Sequence, residues 1–289
     1  MTSEQLARLT LSMMCEPGDA RVGKLVREMS AVELLEQMNL LPSKYSVSVS
    51  NLERDRALQL GESCGAVWVT PGHAHWPQQL AVLGDTQPLG LWVRGNPEIL
   101  MQSAVSIVGA RASTSYGDRL ASDIAAGVAA ERWVIVSGGA YGIDAAAHRG
   151  AMIVHGATIA ILAGGVDDPY PHTNAAIFER MLERGALVSE FAPGNPPQRH
   201  RFLIRNRLIA AWSAGTVVVE AKLRSGAIAT AGHAAALGKD VMAVPGPVIS
   251  PSSQGCHQLI RDGAVLVATA ADVFELVAGD LPRHSLLPV

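Results

Sequence analysis

Aromatic residues are scarce in this chain: Phe, Trp and Tyr make up 4% of its 289 residues, while hydrophobic residues as a whole make up 48%. A core with so few rings is built from Ala, Val, Ile and Leu, which suits a parallel sheet covered on both faces by helices. The same scarcity excludes a ladder of stacking aromatics as the basis of a binding surface. Positive charge is short as well. Lys and Arg number 23 against 26 Asp and Glu, a net charge of −3, so no global field draws the protein to nucleic acid or to an anionic membrane, and any anion site must be local. Cys15, Cys64 and Cys256 are an odd, scattered set with no CxxC and no His at ligand spacing. They exclude a disulfide framework and a zinc site, and they fit a reducing compartment.

Long apolar runs are missing too. The uncharged, apolar stretch 150–166 is interrupted by Gly156, Gly164, Gly165 and His155, so a membrane span is not expected. The N-terminus MTSEQLARLTLSMMC has an acid near its start, no basic opening and no cleavage-like site, and it reads as a helix of a cytoplasmic protein. GxGxxG, GxSxG, a Walker lysine and HExxH are all absent. No cofactor, metal or catalytic set is therefore expected.

Two units are predicted, with a boundary near residue 65. Over residues 4–39 the apolar positions Leu6, Leu9, Met13, Val22, Leu25, Val26, Met29, Leu34, Leu35 and Met38 recur at helical spacing around a break at Pro17-Gly18. Ser46–Ser50 has low helix preference, and Leu52–Leu60 is helical again, giving a small helical domain over 1–65. From 66 to 278 short β-branched runs alternate with glycine clusters and Ala-rich segments. The runs are Ala66–Val69, Leu91–Val93, Val105–Val108, Trp133–Val136, Thr158–Leu162, Ala186–Val188, Thr216–Val219 and Val241–Val244. Strand, glycine loop and helix in repetition predict an α/β, Rossmann-like, doubly wound and mostly parallel sheet. Residues 279–289, with two prolines in Leu281–Val289, are expected to trail off as a tail.

Three glycine loops end predicted strands. SIVGARASTSYG runs from a strand into Gly109 and a helix beginning near Tyr116, with Ser113, Thr114 and Ser115 as caps and Arg111 projecting. Free N–H groups at that helix start form an anion seat, although an ordinary strand-to-helix turn has the same pattern. VIVSGGAYGID places Ser137, Gly138 and Gly139 in a second loop, and IAILAGGV places Gly164 in a third, followed by Tyr170-Pro171-His172-Thr173-Asn174. Three such loops at the carboxyl ends of neighbouring parallel strands would line one crevice, the usual ligand site of open α/β sheets.

PPQRHRFLIRNRLI is the one dense basic segment, carrying Arg199, His200, Arg201, Arg205, Asn206 and Arg207. On a helix starting near Leu203, Arg205 and Arg207 do not share a face. The segment is either a solvated charged face or a groove lining, and one of Arg199, Arg205 and Arg207 is expected to turn inward onto an acid such as Glu220. VVVEAKLRSGAIAT then places Ser225-Gly226 at a helix start, and Asp144 and His148 stand four apart on the helix after the second loop. That pair reads either as an acid/base couple or as a structural contact steadying the helix start, and the structural reading is preferred.

Taken together, VGARASTSYG, VSGGAYGIDAAAH, TIAILAGGVDDPYPHTN, FLIRNRLIAAWS, EAKLRSGAIATA and VPGPVISPSSQGCHQLIRDGA resemble the DNA-processing protein A family, also called DprA or Smf, over about residues 76–275. The resemblance implies an extended Rossmann domain preceded by a small helical domain of the sterile-alpha-motif sort. It implies a non-catalytic homodimer that binds single-stranded DNA and loads a RecA-type recombinase during transformation or recombination. Its DNA contacts would fall on Gly109, Arg111, Ser113, Ser137, Gly138, Gly139, Gly164, His172, Asn174, Arg199, Arg205, Asn206, Arg207 and Ser225. The chain departs from the family pattern at His172, where Lys is common, at SGGAYGID in place of SGLAxGID, and at Ile204, where a Pro usually precedes RNR. The winged-helix domain that many relatives carry has no room after residue 279.

A rival class is a nucleotide phosphoribohydrolase of the lysine-decarboxylase-like group, marked by PGGxGTxxE. SAGTVVVEA keeps Gly215-Thr216 and Glu220 of that pattern but lacks its PGG. A NAD-dependent dehydrogenase is disfavoured by the missing GxGxxG.

Overall fold

The computed structural model describes residues 1–39 and 50–278. Most of the Ser46–Ser50 stretch and the whole 279–289 tail lie outside the described residues.

Among the described residues the N-terminal part holds four α-helices, α1 (Ser3–Met14), α2 (Ala20–Glu28), α3 (Ala31–Asn39) and α4 (Asn51–Ser63). Local chemistry sets their starts. Thr2 and Gln5 form a reciprocal capping box on α1, Ser50 and Glu53 do the same for α4, and Asp19 caps α2. Ala7, Leu11, Val26, Ala31 and Leu34 then close a small apolar cluster of their own. The helices are also joined to the sheet. Leu9 of α1 and Ala57 of α4 pack in one cluster with Trp68 and Trp92, and the Trp68 indole N–H donates to the Gln5 carbonyl at 3.2 Å.

Nine strands form a single sheet: β1 (Ala66–Val69), β2 (Leu91–Gly95), β3 (Ala104–Val108), β4 (Val134–Ser137), β5 (Thr158–Ile161), β6 (Ala186–Ser189), β7 (Gly215–Val218), β8 (Asp240–Ala243) and β9 (Val265–Leu266). Their order is β1-β2-β6-β5-β4-β3-β7-β8-β9. β2 runs antiparallel to both β1 and β6, and every other pairing is parallel. The sequence pattern does not announce β9, whose two residues are exposed at the sheet edge.

Seven helices cover the sheet: α5 (Ser115–Ala130), α6 (Ile143–Ile153), α7 (Ala175–Met181), α8 (Arg199–Trp212), α9 (Gly226–Ala236), α10 (Gln254–Arg261) and α11 (Ala270–Val277). Alternation along each strand sends residues to different cores. Val134 and Val136 pack with Leu208, Trp212 and Ala231 beneath α8 and α9, while Ile135 packs with Ile124, Ala125 and Ala147 beneath α5 and α6.

From β3 the chain steps outward through β4, β5 and β6, then returns along α8 and enters β7 on the other side of β3. The strand order reverses there, so the loops after β3 and β7 diverge and leave a crevice at the carboxyl ends of the strands. α8 begins at Arg199, one turn earlier than Leu203, because Gln198 is extended (φ −125°, ψ 151°) directly after Pro196-Pro197 and serves as the N-cap.

Candidate functional site

The crevice is a cleft of about 800 Å³ bounded by Gly109, Ala110 and Arg111 after β3, by Ala140 and Asp144, by Tyr170, by α8 and by Ser225-Gly226 at the start of α9. With α8 phased from Arg199, residues 199, 202, 203 and 206 fall on one stripe at i, i+3, i+4 and i+7. All four line the cleft. Arg199 and Leu203 are exposed, Phe202 is half-buried, and Asn206 is buried, donating its amide to the Gly226 carbonyl at 3.2 Å. Arg111 is exposed and lies 4.9 Å above the Phe202 ring, a cation–π contact that holds the loop charge over the cleft. Tyr170 meets the same ring edge-on at 6.1 Å.

Arg205 reaches the cleft floor and is only 4% exposed. It donates to the Ile161 carbonyl, and a side chain on Gly138 would run into its guanidinium. Its Nε has no protein partner, and among the described residues no carboxylate is ion-paired with it. Burial draws its pKa down to about 10, with nearby Asp144 opposing and Arg111 assisting. At neutral pH it therefore remains a cation, buried and influenced by Asp144 but, among the described residues, with no carboxylate in salt-bridge contact, an arrangement whose desolvation cost favours any anion that can enter.

The glycine loops differ from the expectation that their N–H groups stand free for phosphate. Asp144 Oδ2 accepts from the Gly138 and Ala140 N–H groups at 3.1 and 3.3 Å. Glu220 accepts from Thr114 N at 2.8 Å and Thr114 Oγ1 at 2.7 Å. Carboxylates of the chain itself thus meet these turns, and the cations facing the cleft are Arg111, Arg199 and Arg205. Burial raises the Asp144 pKa, against the pull of Arg205 and the two loop N–H groups.

The remaining expected positions fall into three groups. Ser137, Gly138, Gly139, Gly164 and Asn174 are buried around the loops. Ser137 Oγ donates to the Ile107 carbonyl at 2.6 Å, and the Asn174 amide braces the second loop through the Gly139 and Ala140 carbonyls at 3.0 and 3.2 Å. Ser113 and Ser225 serve helix starts, the first donating to Asp118 at 2.5 Å and the second capping α9. His172 is exposed, with Nδ1 3.4 Å from Asp168.

Arg207 turns away from the cleft and pairs with Glu190 at 2.7 Å, so the inward pairing expected for one arginine is made with Glu190 and not with Glu220. Asp144 and His148 do not bond to each other. His148 Nδ1 instead meets Thr158 Oγ1 at 2.7 Å, and burial drives the ring to about 3, which makes it neutral. Phe202, Tyr170, Leu203 and His200 also line the cleft and were not anticipated as site residues. The signal for those on α8 was the helical phase after Pro-Pro.

Among the described residues no helix is long and apolar enough to cross a membrane, and no group of three His, Cys, Asp or Glu side chains could hold a metal ion.

Residues 67–278 match the family model for DNA recombination-mediator protein A. The chain is 43% identical over 297 aligned residues to the putative DNA processing protein DprA of Mycobacterium tuberculosis, covering 94% of this chain and 76% of that one. It is 39% identical to the DNA processing protein DprA of Streptococcus pneumoniae over 198 residues, 68% of this chain and 70% of that one. The X-ray structure of DNA processing protein A from Streptococcus pneumoniae superposes with a TM-score of 0.79 at 28% identity, covering 95% of this chain and 98% of that one. The Helicobacter pylori protein, described by its single-stranded DNA binding mode, superposes at 0.67 with 27% identity, covering 74% of this chain and 96% of that one.

Proposed function

Since this chain belongs to the DNA recombination-mediator protein A family, we propose that its switch-point cleft binds a single strand of DNA by the phosphodiester backbone. The observation that carries this reading is Arg205, a buried guanidinium at the cleft floor with no carboxylate in salt-bridge contact among the described residues. A phosphate entering the cleft supplies the missing counter-charge in a desolvated setting, where charge-assisted hydrogen bonds are strongest. Arg111 and Arg199 at the rim take neighbouring phosphates, and Phe202, Tyr170 and Leu203 offer apolar surface to bases without reading their edges.

In this reading the other expected positions support the cleft. Gly109, Ser113, Ser137, Gly138, Gly139, Gly164, Asn174 and Ser225 shape it, Asn206 and His172 lie beside the strand, and Arg207 holds α8 in place. Residues 1–65 act as a small helical domain and 66–278 as the DNA-binding domain. The protein works as a cytoplasmic, non-catalytic, cofactor-free homodimer that hands its strand to a RecA-type recombinase. Glu220, the residue a phosphoribohydrolase would need, spends both carboxylate oxygens on Thr114.

The test is a titration of labelled single-stranded and duplex oligonucleotides of equal length, run beside an incubation with AMP. Tighter single-strand binding with no adenine release supports the reading. Equal affinities, or adenine release abolished by Glu220→Gln, overturn it.

A further inference from the structure

In a doubly wound sheet the first strand beside the switch point feeds a helix whose N-terminus is the ordinary seat for a nucleotide's phosphates. Here that strand is β3 and the helix is α5. The seat is built, because the 16-residue α5 begins there with Thr114 as its N-cap, Thr114 Oγ1 takes the Gly117 N–H at 3.2 Å while the Thr114 N–H is directed outward, and Gly117 carries no side chain to fill the space. Glu220, at the end of β7, occupies it. Its side chain is 3% exposed, its two oxygens take Thr114 N and Oγ1, and a Cβ on Gly117 would collide with its carboxylate. Among the described residues no cation is ion-paired with Glu220, so the positive end of α5 is its main electrostatic partner.

We propose that Glu220 is a specificity-determining residue: a built-in anion that fills the β3–α5 phosphate seat and so denies it to free nucleotides and dinucleotides. What remains in the cleft is the arginine set of α8 and the β3 loop, which suits a phosphodiester chain passing through and not a terminal phosphate docking on a helix. The inference rests on the reading of the cleft as a strand-binding site. It also explains why a fold of this class carries no GxGxxG: a turn that receives a carboxylate from its own chain has no pyrophosphate to approach.

The experiment uses the full chain with Glu220→Ala and Glu220→Gln, and inorganic phosphate as the probe. Thermal melts are compared in phosphate and in chloride at matched ionic strength, and single-stranded oligonucleotide binding is titrated for each protein. Any gain the wild type draws from phosphate on the cleft arginines is common to all three proteins and is the baseline from which the variants are measured. Glu220→Ala, with the seat emptied, is expected to gain about 3 °C when phosphate is tenfold above its Kd. Glu220→Gln, which keeps the shape and loses only the charge, is expected to show a smaller gain of the same sign. Phosphate-specific stabilisation in neither variant, or an equal gain in the wild type, overturns the proposal. Failure of the wild type to bind the oligonucleotide counts against the strand reading instead, and leaves the phosphate result to decide the role of Glu220.

Discussion

Arg207 and Glu190 meet at 2.7 Å in the interior, 8% and 6% exposed, between α8 and the end of β6. Gly18, in the break between α1 and α2, packs directly on the guanidinium, with no room for a side chain. Burial pushes the Glu190 carboxyl up and Arg207 pulls it back, so each charge is tolerable only because of the other.

Arg207→Ala should therefore destabilise the protein by about 3–5 kcal/mol by stranding Glu190, a fall of about 10 °C or more in Tm. Pairing Arg207→Met with Glu190→Leu should recover most of that loss. A melting curve for Arg207→Ala at the wild-type Tm would remove the pair from the stability of the fold.

Arg111 is the converse case, exposed on a loop and held only by its contact with Phe202. Arg111→Ala should leave Tm unchanged and remove about one phosphate contact, flattening the log–log salt dependence of single-strand binding by about 0.7. Arg199→Ala should behave alike. Salt titrations of both variants against the wild type check this, and an unchanged slope would put the strand elsewhere.

How far the sequence could be read depends on whether a pattern is local. Val134, Ile135 and Val136 are apolar in succession because each face of β4 has its own core, a doubly buried signature shared by β3–β7, and short β-branched runs place β1–β8 to within a residue or two. β9 consists of Val265 and Leu266 alone, too short to carry a period. The glycine loops were visible, yet the carboxylates that fill them were not, since Glu220 lies 106 positions from Thr114 and no spacing rule connects the two. Among the basic residues of 199–207, facing depends on helical phase, and a start at Arg199 instead of Leu203 reassigns the stripe that meets the cleft. Trp68 and Trp92, which tie α1 and α4 to the sheet, were equally invisible as a contact before folding.

His148 makes acid stability a test of burial. Its ring is fully enclosed and held near 3, against an ordinary value of 6.5, by desolvation and then by Arg205 and Arg149. The unfolded chain takes up a proton below pH 6.5 that the folded chain refuses, so stability falls as pH falls, by about 2 kcal/mol between pH 7 and 5. Asp144 and Glu190, whose pKa values are raised by burial, act with the opposite sign. The His148 contribution is therefore isolated by difference. Denaturant melts of wild type and His148→Gln at pH 7 and pH 5 should show a smaller acid loss in the variant, and equal losses would contradict the assignment.

If the buried Arg205 is the floor of a single-strand site, one substitution separates that role from a structural one. A purely structural arginine lowers stability when removed. A cation kept uncompensated for a ligand lowers affinity and leaves stability unchanged or higher, because the desolvation cost disappears with it. Fluorescence anisotropy with a labelled single-stranded oligonucleotide, paired with melts of wild type and Arg205→Met, reads both quantities at once. The account predicts a loss of affinity of about tenfold or more, at least 1.4 kcal/mol, with Tm at or above the wild-type value. Unchanged affinity with a depressed Tm would contradict it.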